Sequence, residues 1–174
     1  MSNIVLWPNN ILRRVSQEEM FGPGLESLVE DMRQVIEETA AYGLAACQLG
    51  TSTRVFLAAI GEGKEYLHRK VRVFVNPSIV NFGGQKIKSV EQCLSLPGVQ
   101  ALLKTRYSEI VIAAFGADGE PFQERFGLSD AIVIQHEMRH LEGKTLLDEV
   151  GSAKRVLMKS KLRKAAKQCQ QQER

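Results

Sequence analysis

The sequence predicts an α+β fold: mostly antiparallel or mixed sheets around a buried helix carrying His-Glu-x-x-His, with an N-terminal amphipathic helix and a C-terminal basic helix. Three observations predict it. Apolar residues recur at helical spacing from Leu25 to Ala40. From Arg54 to Phe126 the pattern changes to short runs parted by Gly- and Asn-bearing turns, with no helical spacing between them. Two further helical patterns follow, one largely apolar around His136 and one rich in Lys and Arg after Gly151.

A chain of 174 residues makes one domain with a substantial core. Residues 1–150 read as its body and 151–174 as a basic helix or tail of the same domain. With 44% hydrophobic and 25% charged residues, the composition is that of an ordinary soluble protein. No apolar run reaches membrane-spanning length, and the N-terminus lacks a signal pattern, so no membrane association is expected. Three widely spaced cysteines do not make a disulfide framework, which points to a reducing cytoplasm.

Residues 4–14 read as an extended arm with a turn at Pro8-Asn9. Leu25, Leu28, Val29, Met32, Val35, Ile36 and Ala40 then form the dry face of a helix, with Glu30, Asp31, Arg33, Glu37 and Glu38 on the wet side. The helix ends at Tyr42-Gly43 and opens the stretch Gly43-Leu44-Ala45-Ala46-Cys47-Gln48. Its small residues permit close backbone approach, and the Gln48 amide can donate to a carbonyl oxygen. The blander reading is a tight turn into a strand.

Candidate strands follow at 55–60, 71–75, 79–82, 86–90, 99–104, 110–115 and 121–126, parted by turns such as Asn81-Phe82-Gly83-Gly84 and Ala117-Asp118-Gly119. Among them lies Glu91-Gln92-Cys93-Leu94-Ser95, a turn from which a thiolate can project.

The organising stretch is Gln135-His136-Glu137-Met138-Arg139-His140. At about 100° per residue, His136 and His140 share one helix face and can grip one metal ion, while Glu137 at its edge reaches a water as general base. Ser129 or Asp130 is expected to cap this helix and Gly143 to end it. Ala131, Ile132, Ile134, Met138 and Leu141 make it dry, and two buried histidines beside a glutamate need partners. A catalytic site of this kind usually has three protein ligands. His68 lies in a polar run at 61–70 that reads as a surface loop. Glu149 is close to the helix end, and Glu173 is in the tail. Cys93 alone would read as an inert core residue, but beside an incomplete two-histidine site it reads as the third ligand. Arg139 flanks the ligand face, and its guanidinium is expected to turn outward or to pair with a carboxylate from a neighbouring strand, Glu109 or Glu124.

The tail carries eight Lys and Arg against Glu173 alone, so the first 150 residues are net acidic although the whole chain is +3. Ser152 can start a helix running to about Gln168, with Ala153, Val156, Leu157, Ala165 and Ala166 as its drier residues. Such a helix is either a solvated basic end or a surface for RNA. Cys169 is expected to be free and exposed.

Taken in order, Ala41-Tyr42-Gly43-Leu44-Ala45-Ala46-Cys47-Gln48, Glu91-Gln92-Cys93-Leu94-Ser95 and Gln135-His136-Glu137-Met138-Arg139-His140 resemble the signature motifs of peptide deformylases. That family shows a Gly-x-Gly-φ-Ala-Ala-x-Gln loop, a Glu-Gly-Cys-Leu-Ser turn and a Gln-His-Glu-x-Asp-His helix. Pro8, Leu12-Arg13 and Asn76-Pro77-Ser78-Ile79 are lesser echoes, so the resemblance runs from about residue 4 to about 150.

The resemblance implies a metal-dependent hydrolase removing the formyl group from N-formylmethionyl peptides of nascent proteins. It implies one divalent metal on Cys93, His136 and His140, Fe(II) in the cell, with Zn, Ni or Co able to occupy the site. Glu137 is then the base, and Gln48 with the Leu94 backbone N–H forms an oxyanion hole. The Gly43 backbone binds the peptide as an added strand, and Leu44, Glu91, Ile132 and His136 border the methionine pocket. A monomer docking on ribosomal RNA through the basic helix is also implied. Four departures stand out: Ala41 and Gln92 replace glycines, Gln100 an arginine near the peptide path, and Arg139 an aspartate. The rival functions are a general His-Glu-x-x-His metallopeptidase, which needs neither Gln48 nor Cys93, and a non-catalytic relative binding ribosome or RNA.

Overall fold

The helical spacing after Gly22 forms α1 (Pro23–Thr39), which buries Leu25, Val29, Met32, Val35 and Ile36 and ends at Ala40 in the left-handed conformation. The structure, a computed structural model, describes residues 4–61 and 69–172, with side chains to 166. The readings of His68 and of the Cys169 side chain fall outside that range.

The strands are β1 (Gly43–Ala45), β2 (Val55–Ile60), β3 (Lys70–Glu91), β4 (Ala101–Phe115) and β5 (Pro121–Gly127). They form one sheet in the order β1-β2-β3-β4-β5, every pair antiparallel. The seven runs expected from the sequence are therefore too many. Those at 71–75, 79–82 and 86–90 join into β3, and those at 99–104 and 110–115 into β4. The glycines expected to turn the chain at 83–84 instead make a bulge. The ladder runs Phe82↔Ile110 and Gly83↔Glu109, shifts, and resumes at Lys86↔Tyr107. Gly84 takes φ +66, and a Cβ there would collide with Ser108 Oγ. The long strands bend at such shifts and continue.

β2 is buried on both faces. Val55 and Leu57 pack with Leu44 and the dry face of α1. Phe56, one residue out of phase, packs with Phe74, Ile110, Ile112 and Phe126 against Ala131, Ile134, Met138 and Leu141 of α2 (Leu128–Leu141). The sheet is thus covered by α1 on one face and α2 on the other.

α2 begins without a side-chain cap, its N-cap being Gly127. Asp130 instead accepts from Arg69 Nη1 at 2.9 Å and from the Gly61 N–H at 3.2 Å, while Ser129 Oγ accepts from Arg69 Nη2. Both residues tie the helix start to Arg69 before β3, and Asp130 also to Gly61 after β2, rather than to their own helix. Asp130 still complements the positive helix end. Gly143, in the left-handed region at φ +67, closes the other end as expected.

The third cluster joins Cys93, Leu96, Val99, Ala101 and Leu103 to α3 (Leu146–Glu149) and α4 (Ser152–Gln172). Its contacts from α4 are Met158 and Leu162, each 4% exposed, whereas Val156 and Leu157 are 67% and 66% exposed. The expected dry face of this helix is corrected accordingly. Met158 and Leu162 lie one turn apart and meet α3 and the 96–103 segment, while Val156 falls on the opposite side of the helix.

Candidate active site

β3 ends at Glu91, and the chain then turns tightly, the Leu96 N–H bonding the Cys93 carbonyl at 2.9 Å. This turn aims Cys93 at α2, whose His136 and His140 rings are 5.2 Å apart. Cys93 Sγ lies 3.2 Å from His140 Nε2, and the potential ligand atoms of Cys93, His136 and His140 all fall within 4.8 Å of one another. All three residues are at most 9% exposed.

Charge in the cluster follows from its geometry. Burial alone would push the Cys93 thiol up, but the two imidazoles outweigh it and hold the pKa at about 5, a thiolate at neutral pH. Burial would likewise depress the histidines. Cys93, Glu91 and Glu137 reverse this for His136, raised to about 9, and Cys93 leads the same reversal at His140, raised well above its ordinary value. Glu137 goes the other way: burial lifts it to about 7 against the pull of both histidines. Its Oε2 is buried without a hydrogen-bond partner among the described residues. A thiolate and two imidazoles, converging beside an unpartnered carboxylate oxygen, are a donor set that fits a divalent metal.

Each donor is oriented by a neighbour. Glu91, held at about 2 because bonds from His136 and Arg106 outweigh its burial, is an acceptor only. The His136 Nδ1 lies 2.9 Å from Glu91 Oε2, so it donates to that carboxylate and the ring points Nε2 at the cluster. Gln48 is fixed by its Oε1, which accepts the Ala45 N–H at 2.9 Å. Its Nε2 therefore points to Ser95 Oγ at 3.2 Å and Cys93 Sγ at 3.6 Å. The N-terminal arm braces both loops, the Val5 N–H bonding the Gln48 carbonyl and the Trp7 N–H that of Ser95.

Cys93 and His136 of the cluster, with Glu137, line the floor of a cavity of about 1020 Å³ that Gly43, Gln48, Glu91, Leu94 and Ile132 also border; His140 lies behind them, fully buried. A family model for polypeptide deformylase matches residues 1–156. The chain belongs to the peptide deformylase family. It is 35% identical to a peptide deformylase of Chromobacterium violaceum over 95% of this chain and 96% of that one. It is 37% identical to peptide deformylase 2 of Streptomyces coelicolor, covering 84% and 80%. Among solved structures, a peptide deformylase from Ehrlichia chaffeensis superposes with TM-score 0.89 at 28% identity over 95% and 97% of the two chains. One from Legionella pneumophila superposes with TM-score 0.84 at 31% identity over 94% of each.

Within this deformylase frame, Leu44 departs from its expected place. Its side chain is fully buried in the core under α1 and does not line the cavity, because β1 alternates and turns residue 44 away from residue 43. Glu91 does line the cavity, but its carboxylate is committed to His136 and Arg106.

Arg106 has no counterpart in the sequence reading. It is 3% exposed, donates to Glu91 at 2.8 and 2.9 Å, and reaches Glu149 at 2.6 and 2.8 Å. Burial opposes its charge, but the two carboxylates prevail and raise its pKa. Strand alternation could have flagged it, but the shifts in β3–β4 pairing between Gly83 and Ser89 break the count.

Arg139, where the deformylase motif has aspartate, pairs with Glu142 at the C-cap of its own helix and stands 3.4 Å from Glu149. The expected partners are engaged elsewhere, Glu109 with Arg125 and Glu124 with Arg72. Both lie along the sheet, whereas residue 139 faces α3. Glu149 is thus shared by Arg106 and Arg139, and a carboxylate from α3 compensates the reversed charge on α2.

Proposed function

We propose that this chain removes the formyl group from N-formylmethionyl peptides of nascent proteins, releasing formate and a free methionine amine. The observation that carries the reading is the convergence of Cys93, His136 and His140 beneath a cavity whose floor holds Glu137, with the Gln48 amide directed beside them. Cys93, His136 and His140 would hold a divalent ion, Fe(II) in the cell with Zn, Ni or Co able to replace it, and that ion would supply Lewis acidity at the site. Glu137 takes the proton of the attacking water and returns it to the departing amine. Its pKa of about 7 in the metal-free site suits both directions of transfer. Gln48 Nε2 and the Leu94 backbone N–H donate to the oxygen of the formyl group as it gains charge, each worth about 3 kcal/mol in the transition state.

Peptide binding uses the sheet edge. Among the described residues β1 pairs with β2 alone and forms the sheet edge. Its Gly43 backbone takes an extended peptide as an added strand. Ile132 and His136 border the methionine side chain. Residues 1–150 are the catalytic body, and 151–174 a helix of the same domain, seated through Met158 and Leu162. The outer face of α4 joins exposed Val156 and Leu157 to many cations, which supports docking on the ribosome. No helix among the described residues is long and apolar enough to cross a membrane. The chain works as a monomer in the cytoplasm.

The test is an anaerobic assay of Fe(II)-loaded protein with formyl-Met-Ala-Ser. Formate release is expected, and Glu137→Gln should retain the metal while losing about a hundredfold or more in rate. Cleavage of the unformylated peptide without formate release would favour the metallopeptidase. Protein that holds no metal would favour the non-catalytic relative.

A further inference from the structure

The cavity has one wall that the proposed reaction does not use. Lys161 of α4 reaches it from outside the catalytic body and lines it together with the 96–100 segment. Its position is set by packing: Met158 lies three residues before it and Leu162 one after, both buried against Leu96 and Val99. A helix anchored on both sides of residue 161 holds the root of that lysine in place, while the side chain itself stays exposed.

The charges around the cavity are lopsided. Among the described residues its only carboxylates are Glu91 and Glu137, both deep in the floor, and Glu91 is spent on His136 and Arg106. Among the described residues Lys161 is the only Lys or Arg in the lining. It makes no ion pair among the described residues. Gln100, on the same wall, offers an amide but no charge. A mobile ammonium at a cavity mouth, without a carboxylate of its own, attracts an anionic group on whatever enters.

Resting on the deformylase reading, we propose that Lys161 is a specificity residue, favouring substrates with an acidic side chain at one of the two positions after formylmethionine. The methionine side chain enters toward α2, so the following residues of an extended peptide pass outward, and alternate side chains turn toward opposite walls. The pairing is solvent-exposed, which limits its strength and makes it salt-sensitive.

The experiment uses metal-loaded full-length protein and C-terminally amidated formyl tripeptides carrying Glu, Gln or Lys at the second or the third position. At low ionic strength, Glu over Gln should be preferred by about two- to fivefold in kcat/KM at one position, carried by KM and abolished by salt. Lys161→Glu should remove or invert that ratio, with the change carried by KM. Arg163→Glu, the same charge change on a residue outside the cavity, should preserve it. Equal ratios in wild type and Lys161→Glu, or equal losses in both variants, would overturn the role of Lys161. No turnover of any formyl peptide would overturn the deformylase reading itself, and the role of Lys161 with it.

Discussion

Gly43 and Glu137 occupy touching space: a Cβ on Gly43 would stand 2.8 Å from Glu137 Cδ and 2.9 Å from its Cγ, and would collide with Oε1. The glycine in the first motif therefore shapes the seat of the proposed base as well as offering backbone to a peptide. Gly43→Ala should push the carboxylate aside and leave the sheet intact. A loss of about tenfold or more in kcat is expected, since small displacements of a reacting group are costly. Steady-state kinetics and a thermal melt check it together; a large drop in melting temperature with normal kcat would contradict it.

The ligand assignment separates two buried cysteines. Cys93 faces both histidines, whereas Cys47 lies in the core cluster under α2, its Sγ 3.9 Å from the His140 carbonyl. Cys93→Ser should lower metal content after dialysis against a chelator or alter the spectrum of a Co-substituted site. Cys47→Ser should keep full metal stoichiometry, with its cost confined to stability. Metal analysis of the two variants decides between them.

Acid stability should report on Glu91. Its pKa falls from the ordinary 4.5 to about 2 in the fold, where bonds from His136 and Arg106 outweigh burial. A depressed carboxylate stabilises the fold fully above pH 4.5, and the contribution is lost as pH falls from 4.5 toward 2. The ceiling is about 3 kcal/mol. Urea midpoints of the metal-free protein should drop across that window, and Glu91→Gln should be weaker at pH 7 but flatter below 4.5. Parallel curves for the two proteins would remove Glu91 from the account.

Truncation after Val150 tests the seating of α4. It deletes Met158 and Leu162 from the cluster that also holds Cys93. Losing two buried side chains of this size costs about 2–5 kcal/mol each, so the truncated protein should be severely destabilised. Val156→Ser with Leu157→Ser should instead leave stability within about 0.5 kcal/mol and weaken co-sedimentation with ribosomes. A truncated protein as stable as the full chain would mean that Met158 and Leu162 contribute nothing.

What the sequence determined by itself is whatever depends on local order along the chain. Helical spacing placed α1, and the i, i+4 histidines put two donors on one face whatever lies around them. Both features keep their meaning within one or two turns of chain. The count of strands, the phase of α4 and the partners of Arg106 and Arg139 were decided only by tertiary contact. Glycines at 83–84 read as a turn or a bulge according to whether the ladder resumes beyond them, and Lys86↔Tyr107 shows that it does. Met158 and Leu162 count as dry only because α3 and the 96–103 segment meet them. Arg106, on a strand broken by register shifts, becomes the hub of Glu91 and Glu149 because residues 15 and 43 positions away fold against it. A buried charge takes its partner from space, and sequence distance carries no information about that choice.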